Sequence, residues 1–207
     1  MDEQKLIAFH GKKKIKEKYL QRVIAHRKAD QIIKGKYWED GKGCAVGCTI
    51  EYGESSNVHK KFEEALGIPE DVAKIEDWIF ENLPNGEFQK FPEQFLNAVP
   101  VGADLSNVAT KFNIEILDYV KQFVKVSKYK QVIAAIDGVI KLHSKILIGH
   151  EVTSAAWSAA RSAAESAAWS AAWSAAWSAA ESAAWNAAES AANKRYAEIL
   201  LKLLKEA

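Results

Sequence analysis

The densest run of chemistry-capable residues is Gly41-Lys42-Gly43-Cys44-Ala45-Val46-Gly47-Cys48. A glycine-rich turn that runs into a helix leaves backbone N–H groups free to meet an anion, and a thiol placed there gives up its proton more readily. Lys42 adds a cation. Upstream, Arg22 and His26 lie one helical turn apart, and Tyr37-Trp38 offers aromatic surface for stacking. Together Arg22, His26, Trp38, Lys42, Gly43 and Cys44 describe a site for a small anionic, nucleotide-like ligand.

The same stretch permits other chemistry. Cys44 or Cys48 could act as a nucleophile with His59 or His26 as its base. Cys44, Cys48 and His59 could also supply three metal ligands. Structural zinc sites, however, use C-x2-C or C-x4-C with a second pair, and this C-x3-C stands alone. No metal and no cofactor is therefore assigned. The segment also lacks the Gly-Lys-Ser/Thr ending of a Walker loop and the spacing of a dinucleotide fingerprint. Small residues packed in a tight helix contact remain the plain alternative. Likewise Arg22, His26, Asp30 and Lys34 can be an exposed face of ordinary ion pairs. The acidic residues Glu63, Glu64, Glu70, Asp71, Glu76 and Asp77 read as solvated faces and helix starts.

The elements that must position these residues are helices. Tyr19, Leu20, Val23, Ile24, Ile32 and Ile33 recur at helical spacing between Lys12 and Lys34, with Gly35 as a stop. A turn at Asp40–Gly43 leads into a short segment, Cys44 to Tyr52, where Val46 and Thr49-Ile50 could make one brief strand. Ser55-Ser56 opens a helix that ends at Gly67, and Pro69-Glu70-Asp71 opens another that reaches Leu83. A short helix over Pro92 to Val99 follows, then long ones over Asp104–Val126 and Lys130–Leu147. The fold class is all-α: a multi-helix body over residues 1–150, and a repeat helix with a closing amphipathic helix over 151–207.

The 207 residues carry 28 basic and 27 acidic groups, a net charge of +1, which excludes a protein devoted to coating nucleic acid. That neutrality hides an alternation: net +6 over residues 1–42, −9 over 43–118 and +5 over 119–150. Two cysteines make no disulfide framework, and no segment offers the roughly 18 apolar residues of a membrane span. With no apolar run after Met1, a cytoplasmic location is expected.

From Ser154 to Ala192 the chain repeats x-Ser-Ala-Ala and places 20 Ala and five Trp in that tract. A period of four advances the x position by about 40° per repeat on a helix of 3.6 residues per turn. Trp157, Trp169, Trp173, Trp177 and Trp185 therefore wind around the helix rather than forming a stripe. Indoles on several sides need neighbours on several sides, so the helix is expected to be central or shared between subunits of a homo-oligomer.

Gly41–Cys48, His59, Leu66-Gly67-Ile68-Pro69, Ile79–Pro84 and Val101–Ser106, with the Ala-rich tract and its closing helix, resemble a family of uncharacterised bacterial and phage proteins. The resemblance covers most of the chain and implies no particular activity. By analogy it suggests a small helical protein that sequesters a nucleotide signal or a host protein in counter-defence. The leading expectation is thus a non-enzymatic helical binding protein that holds a small anionic ligand or a partner protein. The cysteine-dependent enzyme and a purely structural helical assembly are the alternatives.

Overall fold

The computed structural model describes residues 6–122, 130–163 and 182–207. The chain is an all-α, multi-helix bundle, and no strand occurs among the described residues. Two isolated bridges, Ile32 with Gly43 and Glu39 with Lys42, are the extent of β pairing there. The chain divides into two compact units, Met1–Ala109 with Ser190–Ala207, and Thr110–Glu189.

In the first unit, α1 (Lys13–Lys28) ends earlier than its apolar spacing predicts. Asp30 turns left-handed at φ 54°, and the Gln31 N–H reaches back to the His26 carbonyl. Residues 31–43 then form a loop closed on the glycine turn. Ile33 donates to the Gly43 carbonyl at 2.8 Å, and Gly43 donates to the Gln31 carbonyl at 3.0 Å. The Cys44–Tyr52 segment forms a helix rather than a strand, α2 (Ala45–Ile50). Next comes α3 (Val58–Leu66), stopped by Gly67 in the left-handed conformation at φ 64°. In α4 (Glu70–Asn82), Pro69 stands just outside and Glu70 and Asp71 occupy the first turn, where carboxylates favour the positive end of the helix dipole. The last element before the unit boundary is α5 (Phe91–Ala98).

The core of this unit is aromatic. Phe9, Phe62, Phe80, Phe91 and Phe95 are all essentially solvent-free, each contributing about 1.5–3 kcal/mol of burial free energy. Ile199, Leu200, Leu203 and Leu204, at the end of α8 (Ser182–Lys205), are also buried in this unit.

The second unit holds most of α6 (Val108–Lys121), then α7 (Lys130–Leu147) and helical residues 154–163. The helix expected over Asp104–Val126 begins later, because Ser106 N–H turns onto the Asp104 carboxylate at 3.1 Å; residues 123–129 lie outside those described. Gly138 does not interrupt α7. Lys121 pairs with Asp137, and the His143 ring meets Trp157 edge-on at 4.9 Å. Trp169, Trp173 and Trp177, and the side chain of Trp185, fall outside the described residues, and with them the winding of the tryptophans. No helix among the described residues is long and apolar enough to cross a membrane.

Candidate metal and catalytic centre at Cys44

Cys44 caps α2 and lines a cavity of about 350 Å³ together with Gly35, Lys36, Tyr37, Asp77 and Glu81. Local sequence fixes each wall. Cys44 N–H donates to the Lys36 carbonyl at 2.7 Å, which binds the start of α2 to the 34–38 strip. The glycines then act through size. A methyl group on Gly43 would stand 1.8 Å from the Tyr37 carbonyl oxygen, and one on Gly47 only 1.4 Å from it. On Gly53 it would come within 2.1 Å of the Trp38 carbonyl oxygen. Backbone lies directly on backbone here, and no larger residue fits.

The opposite wall is α4. Asp77 and Glu81 are four residues apart and share one face of it. Gly35 N–H donates to both Glu81 oxygens at 3.1 Å. His59, from α3, meets Asp77 Oδ2 through Nε2 at 3.1 Å, and its ring stands edge-on to Tyr37 at 5.7 Å. The Tyr37 hydroxyl and the Cys44 thiol both face the Asp77 carboxylate. Asp77 Oδ1 is buried and has no hydrogen-bond partner among the described residues.

These neighbours load the cavity with acidic groups and little balancing charge. Burial, with the Asp77 carboxylate second, pushes the Cys44 thiol far above its ordinary value, opposed in part by the Gly47 N–H. The same two causes push Tyr37 up to about 12. Burial also raises Glu81. The lone lysine of the lining, Lys36, is paired with Glu39. One donor atom each from Cys44, Asp77 and Glu81 lies within 4.8 Å of the other two. A cation placed among them would favour the deprotonated forms of Cys44 and Glu81 and satisfy the orphaned Asp77 oxygen.

This cluster overturns the expectation of a non-enzymatic protein that captures a small anionic ligand or a partner. Two carboxylates beside the thiol repel an anion; they suit a cation and proton transfer. The other residues of that expected site are accounted for elsewhere. Arg22 donates to the Thr49 carbonyl at 3.1 Å and pairs with Glu51 at 3.2 Å. His26 is buried, bonded through Nδ1 to Gln31 at 2.7 Å and through Nε2 to Glu51 at 3.2 Å, with Trp38 edge-on at 4.9 Å. Lys42 exchanges backbone hydrogen bonds with Glu39. Arg22 and His26 thus hold Glu51, the left-handed residue that closes α2, while Gly43 and Cys44 open it.

Cys48 does not join Cys44 in the cluster. Its thiol, pushed up to about 12 by burial, points at the Gly43 carbonyl 3.2 Å away. Both cysteines are free. His59 reaches the site through Asp77. Asp77 and Glu81 were missed by sequence reasoning; their one signal is the i, i+4 spacing, which places both on the same helix face. Comparison with family models, with curated proteins and with solved structures finds no match for this chain.

Proposed function

We propose that the chain is a metal-dependent enzyme in which Cys44, Asp77 and Glu81 hold one divalent cation at the floor of the cavity. The convergence of these three donor atoms carries the reading. A thiolate among carboxylates suits zinc or another late first-row ion over magnesium or calcium. Three protein ligands beside an open cavity follow the pattern of catalytic rather than structural zinc. A bound cation would supply Lewis-acid polarisation of a substrate oxygen, the chemistry of hydrolysis or of addition to a carbonyl. The protein's own part is to hold the ligands. His59 fixes one oxygen of Asp77, Gly35 N–H fixes Glu81, and the Tyr37 hydroxyl stays protonated at neutral pH as a hydrogen-bond donor.

Two further elements rest on sequence features. Free cysteines, with no membrane-spanning helix among the described residues, suit the reducing cytoplasm. The four-residue period of the tryptophans supports self-association through the repeat.

Calorimetric titration with Zn²⁺ tests the proposal. Wild type is expected to bind one ion, and Cys44→Ser to bind it about 100-fold more weakly. Affinity should rise with pH, because Cys44 and Glu81, both raised by burial, must release protons to the solvent on binding. With Co²⁺, a thiolate-to-metal charge-transfer band should appear in wild type and vanish in Cys44→Ser. A wild-type chain that binds neither ion, or a Cys44→Ser variant that binds both equally well, defeats the reading.

A further inference from the structure

The helix that carries Asp77 and Glu81 on one face presents Trp78 and Asn82 on the next, about 100° around the axis. That second face is met by α8. The Asn193 side chain, 8% exposed, donates to the Asn82 carbonyl at 3.1 Å, and the Tyr196 ring lies 5.6 Å from Trp78. Asn82 is the last residue of α4, and its carbonyl belongs to the final turn, whose acceptors have no partner within the helix. Asn193 supplies one from outside. Lys34 does the same for the Leu83 carbonyl, one residue further on.

Glu81 sits in that same last turn. Gly35 N–H holds its carboxylate, and Asn193 secures the backbone carbonyl of the next residue on the neighbouring face. Asp77 lies a full turn earlier and has its own anchor in His59. The two carboxylates therefore depend on different parts of the chain.

We infer that Asn193 and Tyr196 are positioning residues for Glu81, so that the segment following the alanine-tryptophan repeat is part of the metal centre. This rests on the reading of Cys44, Asp77 and Glu81 as a cation site. Releasing the cap lets the last turn fray and removes Glu81 from the donor set, while Cys44 and Asp77 remain.

A double-mutant cycle on the full chain, read by Zn²⁺ calorimetry, decides the matter. Asn193→Asp keeps the side-chain size but sets an acceptor against the carbonyl. It should weaken Zn²⁺ about tenfold, the effect typical of losing an outer partner of a ligand. Glu81→Gln should weaken it by at least as much, and Asn193→Asp added to Glu81→Gln should cause no further loss. Tyr196→Ala should follow Asn193→Asp, and Tyr196→Phe, which keeps the ring, should lose less than Tyr196→Ala; this pair carries the test if Asn193→Asp does not fold. An unchanged affinity in both Asn193→Asp and Tyr196→Ala overturns the inference and leaves the cation site standing. So does a tenfold loss that repeats in full in the Glu81→Gln background. Failure of wild type to bind Zn²⁺ removes the underlying reading, and this inference with it.

Discussion

α4 spans 13 residues and buries Val72, Ala73, Glu76, Ile79 and Phe80, whereas α7 spans 18 and buries none. Both are amphipathic by spacing. The difference is in their surroundings: α4 packs against α2, α3 and α5, and α8 meets its remaining face at Trp78 and Asn82. Enclosure on several sides draws in even a carboxylic acid, since Glu76 is fully buried with both oxygens unpartnered among the described residues. Apolar periodicity states what a helix is able to bury. Neighbours decide how much it does bury, and only the enclosed helix holds its polar groups still enough to build a site.

The sharpest way to break this contrast is to prise apart the backbone contact beneath the site. Gly47→Ala should destabilise the first unit by ~3 kcal/mol or more, because its methyl collides with a carbonyl that cannot move alone. Denaturant unfolding followed by circular dichroism measures it, and a loss under about 1 kcal/mol would show that α2 can shift away.

A matched pair tests burial directly. Ile79→Ala, in a side chain 1% exposed, is expected to lose about 3 kcal/mol. Ile136→Ala on α7, only partly covered, should lose about 0.5–1 kcal/mol. Equal losses would mean that α7 is as enclosed as α4 in solution.

The last effect concerns Glu76, and its sign follows from burial. Desolvation first, and Asp77 second, hold its carboxyl well above the ordinary value, so above the ordinary carboxylate range the native state keeps a proton that the unfolded state has released. Its contribution is then fully present at acid pH and is lost as pH rises above the ordinary carboxylate range. Replacing it by an apolar side chain of similar length, Glu76→Met, should stabilise the protein by about 1–3 kcal/mol at pH 7. The advantage should shrink as pH falls toward 4, where unfolded Glu76 is protonated too. Melting temperatures of the two proteins across that range check the trend, and a flat difference would place the origin elsewhere.

Local signals made the helices readable. Gly67 stops α3, Pro69 opens α4, and α7 spans the residues its periodicity marks. α1 was misread because Ile32 and Ile33 continue its apolar spacing, yet they belong to the loop that closes on Gly43; pairing over that distance leaves no trace in a helical pattern. Half of the candidate site was readable for the wrong reason. The glycines near Cys44 suggested open N–H groups for an anion, and their use is to admit the Tyr37 carbonyl. The other half was hidden. Asp77 and Glu81 look like any solvated i, i+4 pair until the fold sets a thiol against them, and no single stretch of sequence records that approach.

Residues 190–207 belong to the same compact unit as residues 1–109, with the repeat inserted between them. This orders events on the ribosome. Phe9, Phe62 and Phe95 emerge early, whereas Leu200, Leu203 and Leu204, buried in the same unit, emerge only after the whole repeat has been made. Until then the nascent chain exposes an open apolar face beside a long alanine-rich tail. Each added tetrad lengthens that vulnerable interval, so translation speed through the repeat, and chaperone cover during it, set how much of the protein reaches its finished state.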